Sequence, residues 1–540
     1  MPEATTVLGA RRASLLGVDA SAWLLAALSG VLQVLIFPTP NLTFLCWIAF
    51  APLLVALMRA RPTATRALLP ASAPQAFGLV YISGLIYSFG TCYWIYHVMN
   101  SYGGLSAPVA ALVLVMFCLA WSVTIAIFGL LVGLAVGPAR MGPRAVVLAP
   151  VFWVTTEIIR RYLSGFPWDP LGTVLVDNIP LTRIATVTGV YGLSFEILLI
   201  NCGFAVAFLV PRRRRALMLA TAVAAAALLQ AGVLFQPPPI PADGTARLVQ
   251  PDLQILDPNV WTQQYLQKTL NDLSALSIPT PGQIQPGEPA PDLIVWPEAP
   301  APFYINEPTF RNAVSRVAQQ THTYMIVGAL ALDRPGDPNT ALLNSAALVS
   351  PQGQFVARYD KIHLVPFGEF VPFQSIFGFA SKLTREVGDF IPGTTPLVME
   401  LPNEKLGVFI CYESVFPDEI RQFVANGAQL LVNISNDGWF GHTAAPFQHL
   451  NQARMRAIEN NRWLLRDTNT GITSVIDPFG RVVQAIRRDH QNSLDAMYGV
   501  VTGTTFYTRH GDWFPWACAI ISLLAIALGM TFLRTASRSH

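Results

Sequence analysis

The chain has 540 residues, 52% of them hydrophobic and only 12% charged, with a formal net charge of +3. A soluble domain carries about 25% charged residues, so this composition excludes disorder, a collagen-like chain and a small disulfide scaffold. A small, scattered positive charge gives nucleic acid no footing as a partner. What remains is a membrane protein with something attached.

The long uncharged runs lie in residues 21–235, residues 240–505 read as an extramembrane domain, and 513–533 form a last apolar run before a tail at 534–540. A bilayer core of about 30 Å takes roughly 20 apolar residues per helix. Ser21–Phe37, Leu42–Met58, Gln75–His97, Pro108–Val136, Ile184–Val210, Ala216–Phe235 and Trp513–Leu533 fit that length; Ala145–Ile159 is shorter and contains Glu157. Counting it gives eight spans, seven of them within 1–235. Short cytoplasmic loops concentrate Lys and Arg, and with the N-terminus inside, the inner segments carry Arg11, Arg12, Arg59, Arg61, Arg66, Arg140, Arg144, Arg212 to Arg215, Arg534 and Arg538. The outer loop at 160–183 is the exception, with Arg160, Arg161 and Arg183. Dropping the short span would turn the Arg212–Arg215 cluster outward, so the charges favour eight. Both termini are then cytoplasmic and 240–505 lies on the far side. The first span leads into further spans and lacks a cleavage site, so it reads as a retained helix.

Cys46, Cys92, Cys118, Cys202 and Cys518 fall in spans, where small apolar packing accounts for them. Cys411 is the only cysteine of the extramembrane domain. It has no partner there, so it is either a buried filler or a reactive thiol. Gly129, Gly133 and Gly137 form a small-residue run suited to close helix packing. Glu157 and Glu196 lie in or near apolar segments, where a carboxylate is expensive. Gly165-Phe166-Pro167-Trp168 is an aromatic loop at a membrane interface, and the prolines from Pro237 to Pro241 mark a linker.

Beyond that linker, strand-like runs at Ala246–Val249, Leu293–Trp296, Tyr324–Leu330, Ala346–Val349, Gln354–Tyr359, Leu406–Ile410, Leu430–Ile434 and Thr473–Ile476 alternate with helical stretches at 259–276, 308–320, 417–426 and 447–461. Pro351-Gln352-Gly353 and Pro478-Phe479-Gly480 read as hairpin turns. The pattern is α/β, a sheet layered with helices, and no internal repeat is evident. Three apolar strands run into reactive residues: Glu298 after Pro297, Cys411-Tyr412-Glu413, and Ser435-Asn436-Asp437-Gly438-Trp439. Functional groups in open α/β sheets gather beyond the carboxyl ends of strands. Lys361 is one of only four lysines in the chain and sits in Tyr359-Asp360-Lys361-Ile362-His363. A free thiol titrates near 8.5 and needs a base; Glu298 could serve, and Lys361 could steady the oxyanion of a tetrahedral intermediate. A Cys–His pair using His363 competes with that reading. No Gly-x-Ser-x-Gly, phosphate-binding loop or His-Glu-x-x-His is present, and no cofactor or metal is expected.

Trp-Pro-Glu after a strand, Tyr-Asp-Lys-x-His-Leu-Val-Pro-Phe-Gly-Glu, and Cys-Tyr-Glu after a strand follow in that order, and together they resemble the nitrilase superfamily with its Glu-Lys-Cys triad. The several spans before this domain and the one after it, Gly165 to Trp168, Asn436 to Gly441, and Ala453 to Asn460 resemble the apolipoprotein N-acyltransferase family over about residues 20–535. Ala299-Pro300 departs from the small hydroxyl residue expected after the Glu. The resemblance implies a nitrilase-like α-β-β-α sandwich inserted before the last of about eight transmembrane helices. It also implies acyl transfer from a membrane phospholipid, phosphatidylethanolamine favoured, through a thioester on Cys411 to the amine of a diacylglyceryl-cysteine on an apolipoprotein. Glu298 would be the base and Lys361 the oxyanion partner. Glu369 would tune the triad, Tyr412 and Glu413 would shape the pocket, and Trp261 and Trp439 would sit on loops at its mouth, with interfacial anchoring as the alternative for both. Phe373 and Phe377, in the aromatic stretch after Lys361, are expected to line the lipid entrance, against core packing. The setting implied is the bacterial inner membrane, with a periplasmic catalytic domain and a monomeric chain. A membrane-tethered amidase, a non-catalytic partner of a lipid-modifying glycosyltransferase and a transporter are the competing readings; the first keeps the triad, the second tolerates loss of Cys411.

Overall fold

The structure, a computed structural model, describes residues 14–63, 68–136, 146–255, 261–278, 290–334, 336–337, 340–366, 368–370 and 390–538. The N-terminal part is helical: α1 (Ala20–Leu35), α2 (Ala51–Met58, after a 3-10 turn at Thr43–Trp47), α3 (Ala73–Cys92), α4 (Trp94–Ser101), α5 (Ala107–Val136), α6 (Ala149–Ser164), α7 (Val190–Leu209) and α8 (Arg212–Gln230). Asp19 caps α1 by accepting the Ser21 N–H, and Ser72 with Gln75 forms a capping box on α3. Gly129 and Gly133 let α5 lie against α3, since a Cβ would fall 2.3 Å from the Ala76 carbonyl oxygen and 2.5 Å from the Ala73 Cα; Gly137 lies outside the described residues.

Among the described residues, three helices are long and apolar enough to cross a membrane: Ala107–Val136, Val190–Leu209 and Arg212–Leu234. The pair α3 and α4, bent by 49° where the sequence reads as one span over Gln75–His97, makes a fourth if the two are counted as one broken span. Ala20–Leu35, Thr43–Met58 and Trp513–Leu528 are shorter apolar helices. The short candidate at Ala145–Ile159 becomes α6, which extends through the buried Glu157, Arg160 and Arg161 and so is helical without being apolar.

The extramembrane domain holds two six-stranded sheets. The first contains β1 (Gly244–Gln250), β2 (Leu293–Val295), β3 (Tyr324–Leu332), β4 (Leu342–Val349), β5 (Phe355–Asp360) and, at its far edge, β12 (Asn492–Tyr498). The second contains β6 (Val398–Glu400), β7 (Lys405–Ile410), β8 (Leu430–Ser435), β9 (Leu464–Thr468), β10 (Ser474–Ile476) and β11 (Val482–Ala485). The orders are β12-β1-β2-β3-β4-β5 and β6-β7-β8-β9-β10-β11. Both sheets pair antiparallel, parallel, parallel, antiparallel, antiparallel across that order, a repeat of topology that the sequence does not display. Gly353 and Gly480 take positive φ in the two expected hairpin turns.

Period-two alternation sorts the first sheet's side chains. Leu248, Val295, Ile326 and Leu348 face the second sheet, whereas Val249, Ile294, Met325 and Val327 pack on α9 (Gln263–Ser277) and α10 (Pro308–Thr321). The second sheet is covered by α11 (Pro417–Ala425) and α12 (Ala445–Asn460), which completes the α-β-β-α sandwich. α12 is also covered on its other side: Leu450, Ala453 and Ala457 join the sandwich core, while Ala445, Met455 and Ile458 join the core of the helical base. The chain ends in α13 (Trp513–Arg538).

Candidate active site

Each candidate side chain stands just past a strand end. β2 stops before Pro297, which has no N–H for the ladder, and Glu298 follows. Gly328 on β3 makes room there, because a Cβ would lie 2.2 Å from the Pro297 carbonyl oxygen. β5 hands over Lys361, whose N–H donates to the Asn344 carbonyl at 2.8 Å. After β7 the chain turns sharply: Cys411 takes φ +50° and opens a 3-10 turn over Cys411–Val415.

The Lys361 ammonium lies 3.1 Å from Glu298 Oε1 and 2.9 Å from Glu369 Oε1. The Asn344 amide donates to the same two oxygens at 2.8 and 2.7 Å. The remaining oxygen of Glu298 accepts the Asn436 N–H at 2.9 Å, and that of Glu369 the Val365 N–H at 2.8 Å. Both carboxylates are therefore held at both ends around one cation. Burial alone would lower the Lys361 pKa, but the two carboxylates outweigh it and hold it well above the usual lysine range. Burial and the Glu298 charge push the Cys411 thiol well up, with Lys361 pulling partly the other way. Burial and the Glu298 charge thus favour the neutral thiol over the thiolate at Cys411.

Glu413 braces the same turn. Its carboxylate accepts the Tyr359 hydroxyl, the Ile362 N–H and the Ile410 N–H, each at 2.6 Å, tying the end of β7 to the segment after Lys361. Burial, then the charge of neighbouring Glu419, raises its pKa to about 8. Glu419 is likewise raised by burial to about 8 and touches His363 Nδ1. His363, whose pKa burial lowers, thus faces Glu419.

Tyr412 points at the helical base. Its hydroxyl donates to the Gly165 carbonyl at 3.1 Å and its ring lies 6.3 Å from Phe166. Phe166, Trp168, Trp94 and Phe440 continue as an aromatic group with centroids 5.0 to 6.3 Å apart. Trp168 is fully buried, its Nε1–H donated to Gln448 at 2.8 Å.

Comparison with known proteins follows the same division. Residues 29–203 match the family model of the apolipoprotein N-acyltransferase N-terminal domain, and residues 245–497 match that of the carbon-nitrogen hydrolases. An apolipoprotein N-acyltransferase of Geobacter metallireducens is 36% identical over 527 residues, spanning 94% of this chain and 95% of that protein. The chain belongs to the apolipoprotein N-acyltransferase family. A further apolipoprotein N-acyltransferase, of Bradyrhizobium diazoefficiens, is 34% identical and covers 72% of this chain and 73% of its own. An amidase from Nesterenkonia sp. aligns with 50% of this chain and 93% of its own at 19% identity and a TM-score of 0.34. As in the N-acyltransferase family, a nitrilase-type domain here sits on a membrane base, and the protein is an acyltransferase by family.

Of the residues singled out from sequence, Glu298, Lys361 and Glu369 form one hydrogen-bonded group, Cys411 lies within their electrostatic reach, and Tyr412 and Glu413 flank it. Trp439 stacks edge-on with Tyr102 of the base at 5.5 Å. Trp261 packs on Tyr265 at 5.2 Å and joins the core of the outer helical layer beside α9. Phe373 and Phe377 lie outside the described residues. Asn344 escaped notice, although its signal is legible: a polar amide inside an otherwise apolar strand has to find partners.

Proposed function

We propose that this protein moves an acyl chain from a membrane phospholipid, with phosphatidylethanolamine as the favoured donor, to the N-terminal amine of a diacylglyceryl-cysteine apolipoprotein, by way of a thioester on Cys411. In the first half-reaction Glu298 takes the Cys411 proton as sulfur attacks the ester carbonyl carbon. The oxyanion forms beside the Lys361 ammonium. Collapse breaks the C–O bond, and Glu298 returns the proton to the departing lysophospholipid oxygen. In the second, the lipoprotein amine attacks the thioester carbon, Glu298 accepts its proton, and sulfur leaves to regain one. Glu369 fixes the position of Lys361, and Glu413 and Tyr412 hold the nucleophile turn. Trp439, and on the same reading Trp261, Phe373 and Phe377, belong to the lipid-facing mouth.

The observation carrying this reading is the seat of the nucleophile turn on the membrane base: the residue after Cys411 hydrogen-bonds to the Gly165 carbonyl amid an aromatic group. Both proposed substrates are held by acyl chains in a bilayer leaflet, so their reacting bonds reach a sulfur only at such a junction. The reading places the chain in the bacterial inner membrane as a monomer, with the sandwich periplasmic and both termini cytoplasmic. The test is mass spectrometry of the detergent-purified protein after incubation with phosphatidylethanolamine. A hydroxylamine-labile acyl group on Cys411, discharged by a diacylglyceryl peptide, is expected. An adduct that only water discharges would make the protein a lipid hydrolase, and no adduct, with Cys411→Ala behaving as wild type, would overturn the thioester.

A further inference from the structure

A second polar unit lies beneath Cys411, separate from Glu298 and Lys361. His449, on α12, is buried, and its Nε2 is 3.0 Å from the Cys411 carbonyl oxygen. Its Nδ1 is 2.9 Å from Asp437 Oδ1 and 3.0 Å from Arg466 Nη2. Arg466 in turn donates to Asp437 Oδ2 at 2.8 Å and to the Asn433 side chain, and the Ser435 hydroxyl donates to Asp437 Oδ1 at 2.8 Å. Asp437 and Arg466 have no exposed surface. Asp437 thus reaches the Cys411 carbonyl through His449.

A carbonyl oxygen only accepts, so Nε2 must carry a hydrogen. That holds in either state of the ring: as an imidazolium, Nδ1–H donates to Asp437; as the neutral ring, Nδ1 accepts from Arg466. The link to Cys411 therefore survives a change of protonation. Its mechanical purpose follows from the backbone, since Cys411 has φ +50°, a region that non-glycine residues rarely occupy and that needs an external restraint. The restraint is itself anchored in the base: Gln448, next to His449, donates to the Thr91 and Pro38 carbonyls at 3.2 and 3.3 Å, and the His449 ring stacks 6.0 Å from Trp168.

We infer that His449 is a positioning residue for the nucleophile: its Nε2–H, fixed by Asp437 and Arg466, holds the Cys411 carbonyl and with it the left-handed turn that presents the thiol. The inference rests on the proposed thioester chemistry at Cys411, and the test separates the two. The measurement is the rate at which Cys411 gains a hydroxylamine-labile acyl group from phosphatidylethanolamine micelles, in His449→Gln, His449→Asn and His449→Leu. A glutamine amide reaches as far as Nε2 and can donate to the carbonyl, whereas asparagine is too short and leucine donates nothing. His449→Gln should stay close to wild type, with an unchanged pH profile. His449→Asn and His449→Leu should acylate about a hundredfold more slowly, the loss expected for a reactive group displaced by about an ångström, with KM for the phospholipid unchanged. If His449→Leu does not fold, the Gln–Asn pair carries the comparison. Equal rates for Gln and Asn, wild-type rates in Leu, or a shifted pH profile in Gln would overturn the inference; the last would mean that the imidazole itself moves protons. Alkylation of Cys411 by iodoacetamide needs no lipid and should rank the variants in the same order. A wild-type chain that alkylates in that order but never acylates would sink the thioester reading and leave His449 in place.

Discussion

Lys361 keeps its charge in a buried setting only because Glu298 and Glu369 lie 3.1 and 2.9 Å from it. Removing one member of a buried ion group leaves the others uncompensated, at a cost of about 3–5 kcal/mol. Lys361→Met should therefore lower the melting temperature as well as abolish acylation, whereas Cys411→Ala should abolish acylation alone; calorimetry in detergent beside the adduct assay distinguishes them. Glu413 and Glu419 titrate as a pair. Burial, and for Glu413 the neighbouring carboxylate, lifts them from an ordinary 4.5 to about 8. A raised carboxyl pKa means that the folded state holds the proton more tightly than the unfolded one. The stability this confers is complete below pH 4.5 and is lost as pH rises through about 8. His363, held neutral by burial, can accept the Glu419 proton in a hydrogen bond. Glu419→Gln should flatten the decline in melting temperature expected of wild type between pH 4.5 and about 8, and an unchanged slope would place the proton elsewhere.

Among the elements, α12 does the most joining. A helix apolar on one stripe needs one neighbour; α12 has two, the sandwich at Leu450, Ala453 and Ala457 and the base at Met455 and Ile458. Its polar residues are buried with it and have to be matched. Glu459 accepts the Val190 N–H at 2.9 Å, at the first turn of α7, and pairs with Arg456 at 3.0 Å. Gly189 supplies no side-chain cap to α7, so a carboxylate from another domain satisfies an orphan helix donor and meets the positive end of the helix dipole. Glu459→Gln keeps the acceptor, whereas Glu459→Leu removes it and strands Arg456. Thermal unfolding should show a loss of about 3 kcal/mol or more for leucine and a clearly smaller one for glutamine; equal losses would mean that the cap contributes nothing.

On the scale of the whole molecule, the arginines at 160–183 that break the loop-charge pattern are occupied by other work. Arg161 pairs with Asp512 at 2.5 Å and Asp418 at 3.5 Å, Arg183 donates to the Pro478 carbonyl and to Asn461, and Arg160 lies over the Trp121 ring. Arg454 of the sandwich reaches back to Asp177 at 2.5 Å. Arg161 through Asp418, Arg183 and Arg454 fasten the sandwich to the base, and Arg160 packs within the base, so their charge reports packing and docking and not sidedness. On the proposed topology, a cysteine placed by Gln352→Cys should react with an impermeant maleimide in intact spheroplasts, and one placed by Arg213→Cys only after permeabilisation. The reverse pattern would invert the chain in the membrane.

Much of the molecule was legible because it rests on local patterns. Apolar runs marked the helical base, and eight strands bounded by turn residues marked the sandwich. Three strand ends carrying Glu298, Cys411 and Ser435 announced where chemistry would gather. The strands left unread were Val398–Glu400, Leu464–Thr468, Val482–Ala485 and Asn492–Tyr498. Two are short edge pieces, Leu464–Thr468 carries buried Arg466 and Asp467, and Asn492–Tyr498 pairs with β1 across most of the domain's length. Their strand character comes from partners distant in sequence and leaves no local period. The same limit applied to the site. Residue types and order along the chain determined which groups could react. Only tertiary structure decided that Asn344 clamps both carboxylates around Lys361, that Asp437 and His449 sit beneath Cys411, and that the turn after Cys411 rests on Gly165, because each is a contact between segments whose spacing in the chain says nothing of their distance in space.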